Sequence, residues 1–99
     1  MIIYNVTVNI DSSVHDEWLD WMKNTHIPEV VATGCFSAGH IFRIMVDEQS
    51  GVSYSIQYTA ASIEEIQRYM KDFAPALQKE HTEKYADKFT AFRTLLEKV

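Results

Sequence analysis

The sequence predicts an α+β domain with the element order β-α-β-β-α-β. Three observations lead there: period-two alternation of apolar side chains over residues 2–10, 35–46, 52–60 and 88–96, helical periodicity over 14–27 and 62–85, and turn or capping residues at the joins. A chain with this order folds as a ferredoxin-like sandwich, four antiparallel strands with two helices on one face.

The first strand sets Ile2, Tyr4, Val6, Val8 and Ile10 against Asn5, Thr7 and Asn9, so one face is buried and the other is polar without charge. Asp11-Ser12-Ser13 ends it and offers N-caps, and Asp16 and Glu17 fall in the first helical turn, where the helix dipole favours them. At 100° per residue Val14, Trp18, Trp21 and Thr25 share one narrow sector, flanked by His15, Leu19, Met22 and His26. Pro28 disfavours a helical Ile27, which predicts a stop or kink there, then a short turn over 29–33 closed by a left-handed Gly34.

In the second strand, Phe36, Ala38, His40, Phe42, Ile44 and Val46 alternate with Ser37, Gly39, Ile41, Arg43 and Met45. Residues 47–51 form a polar hairpin loop ending in Gly51, and Val52 to Ala60 is the third strand. Ser62-Ile63-Glu64-Glu65 matches a capping box. The second helical region gathers Ile63, Ile66, Met70, Phe73, Ala74, Leu77, His81 and Tyr85 on one stripe, with a break near Ala74 imposed by Pro75. The last strand sets Phe89, Ala91 and Leu95 against Thr90, Phe92 and Thr94, and Arg93 interrupts the apolar set.

Ninety-nine residues, 46% of them hydrophobic, fit a single domain spanning 1–99. The net charge of −5, from 14 acidic and 9 basic residues, argues against nucleic acid and anionic membranes as partners. No apolar run approaches the ~20 residues of a membrane span. The first strand begins directly after Met1 without a secretory pattern, which predicts a cytoplasmic protein, and the single cysteine, Cys35, agrees with a reducing compartment. The open sheet face, expected to include Ile41, Arg43, Met45 and Phe92 among polar residues, is too apolar for water and too polar for a second core. A wet homodimer interface between two such faces is the expected use.

Several stretches together resemble a small family of uncharacterised bacterial proteins: Tyr4-Asn5-Val6-Thr7-Val8-Asn9, Trp18-x-x-Trp21 followed by His26-Ile27-Pro28, Ala74-Pro75-x-Leu77, Glu80-His81, and the run from Ala91 to Glu97. The chain is similar, more loosely, to the dimeric α/β-barrel superfamily, which includes antibiotic-biosynthesis monooxygenases, stress-responsive barrel proteins and ring-modifying decomposition enzymes. The narrower resemblance implies a fold and a homodimer, in a domain of unknown function with no activity to carry over. The broader one implies many activities and selects none.

The candidate pocket follows from topology. If Val46 pairs with Val52, His40 faces Tyr58 on the helix side, with Tyr4 at a similar height on the next strand. His26, at the end of the first helix, then joins His40, Tyr4 and Tyr58 beneath a roof formed by Trp21. Imidazoles titrate near neutrality and tyrosine hydroxyls donate or accept, a combination suited to a polar aromatic ligand. His81 is expected at the opposite end, near His15, as a packing residue beside a helix end, and Arg93 is expected to pair with an acidic neighbour or point outward. Cys35 has no cation close in sequence to activate it, and no metal or cofactor motif is present, so none is expected. The reading is a homodimeric small-molecule-binding or interaction module without assignable catalysis. The alternative is a monooxygenase-like enzyme, cofactor-independent or haem-associated, acting on a small aromatic substrate in the helix–sheet pocket.

Overall fold

A computed structural model describes residues 1–46 and 50–99, so Asp47, Glu48 and Gln49 of the expected hairpin loop lie outside the described residues. Four strands, β1 (Ile2–Ile10), β2 (Ala38–Arg43), β3 (Val52–Ala60) and β4 (Phe89–Glu97), form one antiparallel sheet in the order β2-β3-β1-β4. Four helices cover it: α1 (His15–Trp21), α2 (Ile27–Ala32), α3 (Ile63–Asp72) and α4 (Ala74–Lys84). This is the ferredoxin-like arrangement, with each of the two expected helical regions divided in two. Among the described residues no helix is long and apolar enough to cross a membrane.

The strands with clean alternation behave as their pattern dictates. Tyr4, Val8 and Ile10 of β1 and Tyr54, Ile56, Tyr58 and Ala60 of β3 are buried under the helices, while Thr7, Ser53, Ser55 and Gln57 share the other face. β2 departs from expectation. Its register pairs Gly39 with Tyr58 and His40 with Gln57, one residue out from the expected alignment. Ser37 donates its N–H to the Thr59 carbonyl, and Ala38 is also the residue opposite Thr59. One extra residue is thereby taken up between Phe36 and Gly39, as in a β-bulge, and a one-residue slip exchanges the two faces. Phe36 and Gly39 both face the helices, Ile41 follows Gly39, and His40 and Phe42 turn to the open face.

The helical regions also depart from their predicted boundaries. Pro28 does not stop the first one. Residues Met22–His26 form a π-turn between α1 and α2, in which Ile27 donates to the Met22 carbonyl five residues back, and Pro28 occupies the opening turn of α2, where its missing N–H costs little. The buried stripe is therefore Trp18, Met22 and His26, with Trp21 only half-buried. Gly34 does take the left-handed conformation, with φ at 82°. The second region breaks at Phe73, next to the predicted position. Ser62 stands at the N-cap of α3 but its side chain makes no capping bond. Tyr69 is buried, whereas Ile63 and Met70 of the expected stripe are largely exposed.

Candidate helix–sheet cavity

Where the π-turn and α4 approach the sheet they leave a cavity of about 50 Å³. Tyr4 and Val8 from β1, Tyr58 from β3, Tyr69 from α3, Met22 and His26 from the π-turn, Gln78, His81 and Thr82 from α4, and Phe89, Ala91 and Arg93 from β4 all line it. Room for one water takes ~10–15 Å³ on this measure, so the space suits a few waters or one small functional group.

His26 reaches the cavity because the wide turn adds one residue between Trp18 and the sheet-facing end of the helix. Trp21 stacks on its ring at a centroid distance of 4.9 Å. Its Nδ1 is buried with no hydrogen-bond partner among the described residues, and burial lowers its pKa to about 4. His81 lies beside it, 5.7 Å between centroids, and is edge-on to Phe89 at 4.3 Å. The Trp18 indole donates to His81 Nε2 at 2.9 Å. Because an indole N–H can only donate, neutral His81 must carry its proton on Nδ1. Burial, with further contributions from His26 and Arg93, lowers the His81 pKa to about 4 as well. Both imidazoles are neutral at physiological pH.

Arg93 shares the helix-side face with Phe89 and Ala91, opposite Val6 on β1, and its Nε donates to the Tyr4 hydroxyl at 3.1 Å. Tyr4 is enclosed by Phe36, Tyr58 and Tyr69 at centroid distances of 5.8–6.0 Å. Burial pushes the Tyr58 and Tyr69 hydroxyls well above the usual tyrosine range, so both are neutral donors or acceptors.

Of the five predicted pocket residues, Tyr4, His26 and Tyr58 line one cavity, and Trp21 covers His26 from behind. His40 does not join them: the slip in β2 leaves it exposed on the opposite sheet face, against Phe42. His81 is not at the His15 end. His15 instead bonds to the Tyr54 hydroxyl at 2.6 Å and to Asp16 at 2.9 Å. Arg93 neither pairs with an acidic neighbour nor leaves the site. Sequence reasoning thus missed His81, Arg93, Tyr69 and Gln78 as cavity residues. For Arg93 the signal was present, since it alternates in phase with Phe89 and Ala91.

Comparison with known proteins places this geometry in a family. The model of a domain of unknown function, DUF4286, matches residues 1–99. The chain belongs to the DUF4286 family. No curated protein matches this DUF4286 chain. Solved structures share its fold at low identity. The protein HapK from Hahella chejuensis aligns with a TM-score of 0.75 at 9% identity, covering 100% of this chain and 93% of that one. An ethyl tert-butyl ether d (ethd) family protein from Bacillus halodurans gives 0.67 at 15%, with both chains fully covered. SnoaB, a cofactor-independent oxygenase from Streptomyces nogalater, gives 0.65 at 12%, covering 98% and 92%. At these identities the likeness establishes the ferredoxin-like fold of the DUF4286 chain, shared with proteins that include oxygenases.

Proposed function

We propose that this DUF4286 domain is a cytoplasmic, homodimeric small-molecule-binding module whose ligand site is the helix–sheet cavity. The observation that supports this best is the unpartnered, buried Nδ1 of His26 in a cavity that also presents His81, Arg93 and three tyrosines. A buried polar atom without a partner costs about 1–3 kcal/mol, and a ligand that bonds to it recovers that cost. The free, buried Cys35 fits a reducing compartment.

The dimer reading rests on the open sheet face. With β2 in its observed register this face presents no charged residue from any strand: Asn5, Thr7, Ser55 and Gln57 occupy its centre, and the exposed Phe42 and Phe92 flank them. The central polar groups bond to one another, from Gln57 to Ser55, Ser55 to Asn5 and Asn5 to Thr7, so a partner could cover them without stranding them.

Native mass spectrometry of protein purified from its own host tests both parts at once. The expected result is a dimer mass retaining a small organic compound, whose contacts map by NMR to His26 and Tyr69. A stable monomer at micromolar concentration would overturn the dimer, and contacts mapping elsewhere would overturn the site. A second reading, an oxygenase-like enzyme working on a small aromatic substrate in the same cavity, draws on the neutral His26 as a base and on the fold shared with SnoaB. Oxygen uptake that requires His26 would favour it over binding alone.

A further inference from the structure

We propose that the cavity is an anion site, taking a small monoanion of the carboxylate class whose charge lies between the Arg93 guanidinium and the His26 imidazole. The proposal rests on the reading of the cavity as a ligand site and narrows it to one charge class. The first support is the composition of the lining. In a chain with 14 acidic and 9 basic residues, the cavity wall includes one guanidinium, two imidazoles and three tyrosine hydroxyls, and no aspartate or glutamate. Other cations of the fold have their own carboxylates: Arg68 with Glu65, Lys79 with Glu83, and Lys84 with Glu17. Among the described residues no carboxylate pairs with Arg93. One of its five donors goes to the Tyr4 hydroxyl, and the planar fork suits bidentate capture of a carboxylate.

The second support is His26. It is nine-tenths buried, its Nδ1 has no partner, and it lines the same space. The groups that face it across the cavity are His81 on α4, Arg93 on β4, Tyr4 on β1, Tyr58 on β3 and Tyr69 on α3, with Trp21 stacked behind it. The only one with a fixed charge is the Arg93 cation. The nearest carboxylate of α1, Glu17, is engaged by Lys84 and Tyr85 outside the cavity. In the empty cavity every charge that acts on His26 therefore opposes its protonation. A bound anion reverses this, because an opposite charge within hydrogen-bond range favours the imidazolium. Anion binding should draw one proton onto His26, converting its orphan Nδ1 into a donor. The space of about 50 Å³ suits a carboxylate group, and Arg93, the most exposed lining residue, sets the side from which the rest of a ligand would extend.

The test uses three isosteric probes and ring-nitrogen NMR of the full chain in chloride- and carboxylate-free buffer: acetate, nitrate, which stays anionic throughout the pH range, and neutral acetamide. Expected is saturable movement of the His26 and Arg93 side-chain signals with acetate and nitrate but not acetamide. Nitrate affinity should rise as pH falls from 7 to 5, approaching tenfold per pH unit for one proton taken up, with the His26 nitrogens moving to imidazolium values. Since nitrate brings no proton, any uptake belongs to the protein. Arg93→Gln should abolish the response and Arg93→Lys should keep part of it, with an unchanged backbone spectrum showing that each variant folds. Acetamide binding as tightly as nitrate would overturn the charge preference while leaving the ligand cavity intact. If neither anion moves His26 but neutral phenol does, the anion proposal fails and the cavity reading survives. If phenol fails as well, both fall.

Discussion

Acidification should unfold this protein well above the pH at which its carboxylates titrate, because two imidazoles are buried without charge. In the unfolded chain His26 and His81 titrate near 6.5, whereas in the fold both are held to about 4. A histidine with a lowered folded pKa favours folding at neutral pH, where both states leave it unprotonated. As pH falls below 6.5 the unfolded chain takes up protons that the folded chain refuses, so stability drains away until the folded rings titrate near 4. Each ring should cost about 1 kcal/mol between pH 7 and 5.5, and about 3 kcal/mol by pH 4. Two rings together remove about 6 kcal/mol, against the ~5–15 kcal/mol that holds a typical domain folded. Urea denaturation at half-unit pH steps, followed by tryptophan fluorescence in a carboxylate-free buffer, measures the slope. Trp18 and Trp21 pack directly on the two rings and report the transition. Wild type should lose stability with a slope approaching two protons near pH 5, and a His26→Gln/His81→Gln double variant should lose that part of the slope. Equal slopes for the two proteins would show that the rings do not carry depressed pKa values in the fold, and the account of the cavity as a pair of neutral imidazoles would be wrong.

Three further outcomes are expected. Trp18→Phe removes the donor that fixes His81 and leaves space in the core, so thermal unfolding should report a loss of about 2–4 kcal/mol. Gly39→Ala should cost about 1–3 kcal/mol in chemical denaturation, since the new methyl would meet Ile27 at 2.9 Å and the Tyr58 ring at 3.0 Å, while His40→Ala should leave monomer stability within about 0.5 kcal/mol. The reverse ranking would restore the register read from the sequence. Phe42→Asp with Phe92→Asp should shift sedimentation toward the monomer without changing helix content by circular dichroism, and an unchanged sedimentation profile would remove the open face as the interface.

Much of the architecture was legible because β1 and β3 each offer one apolar and one polar set, and period two then decides which face is buried. β2 has no such asymmetry. Phe36, Phe42 and Ile44 compete with Ile41 and Met45, so the pattern does not choose a face, and the extra residue opposite Thr59 decided the matter through backbone pairing that no side-chain period reveals. That cost the pocket its predicted His40. His81 was read onto the correct inner stripe of its helix but to the wrong end of the molecule. Heights counted along one continuous helix do not survive the break at Phe73, after which α4 brings His81 against Trp18, Trp21 and His26. Tyr69 was hidden for the same reason: a stripe drawn through both α3 and α4 favoured Met70. Pro28 was recognised as a break in helical hydrogen bonding, but the chain answered it with a wider turn rather than a stop.

That wider turn makes the aim of the cavity depend on residue count. Removing one residue from the exposed pair Lys23 and Asn24 would let 15–32 close as an uninterrupted α-helix, rotating everything beyond the deletion by about 100° relative to α1. His26 would swing off the cavity while Trp18 stayed in the core, and the fold would keep its shape with a blank wall where the imidazole had been. Insertions and deletions in this family therefore act as a dial as well as a length change. Two members with near-identical cores and one residue's difference in this turn should differ in what their cavities accept.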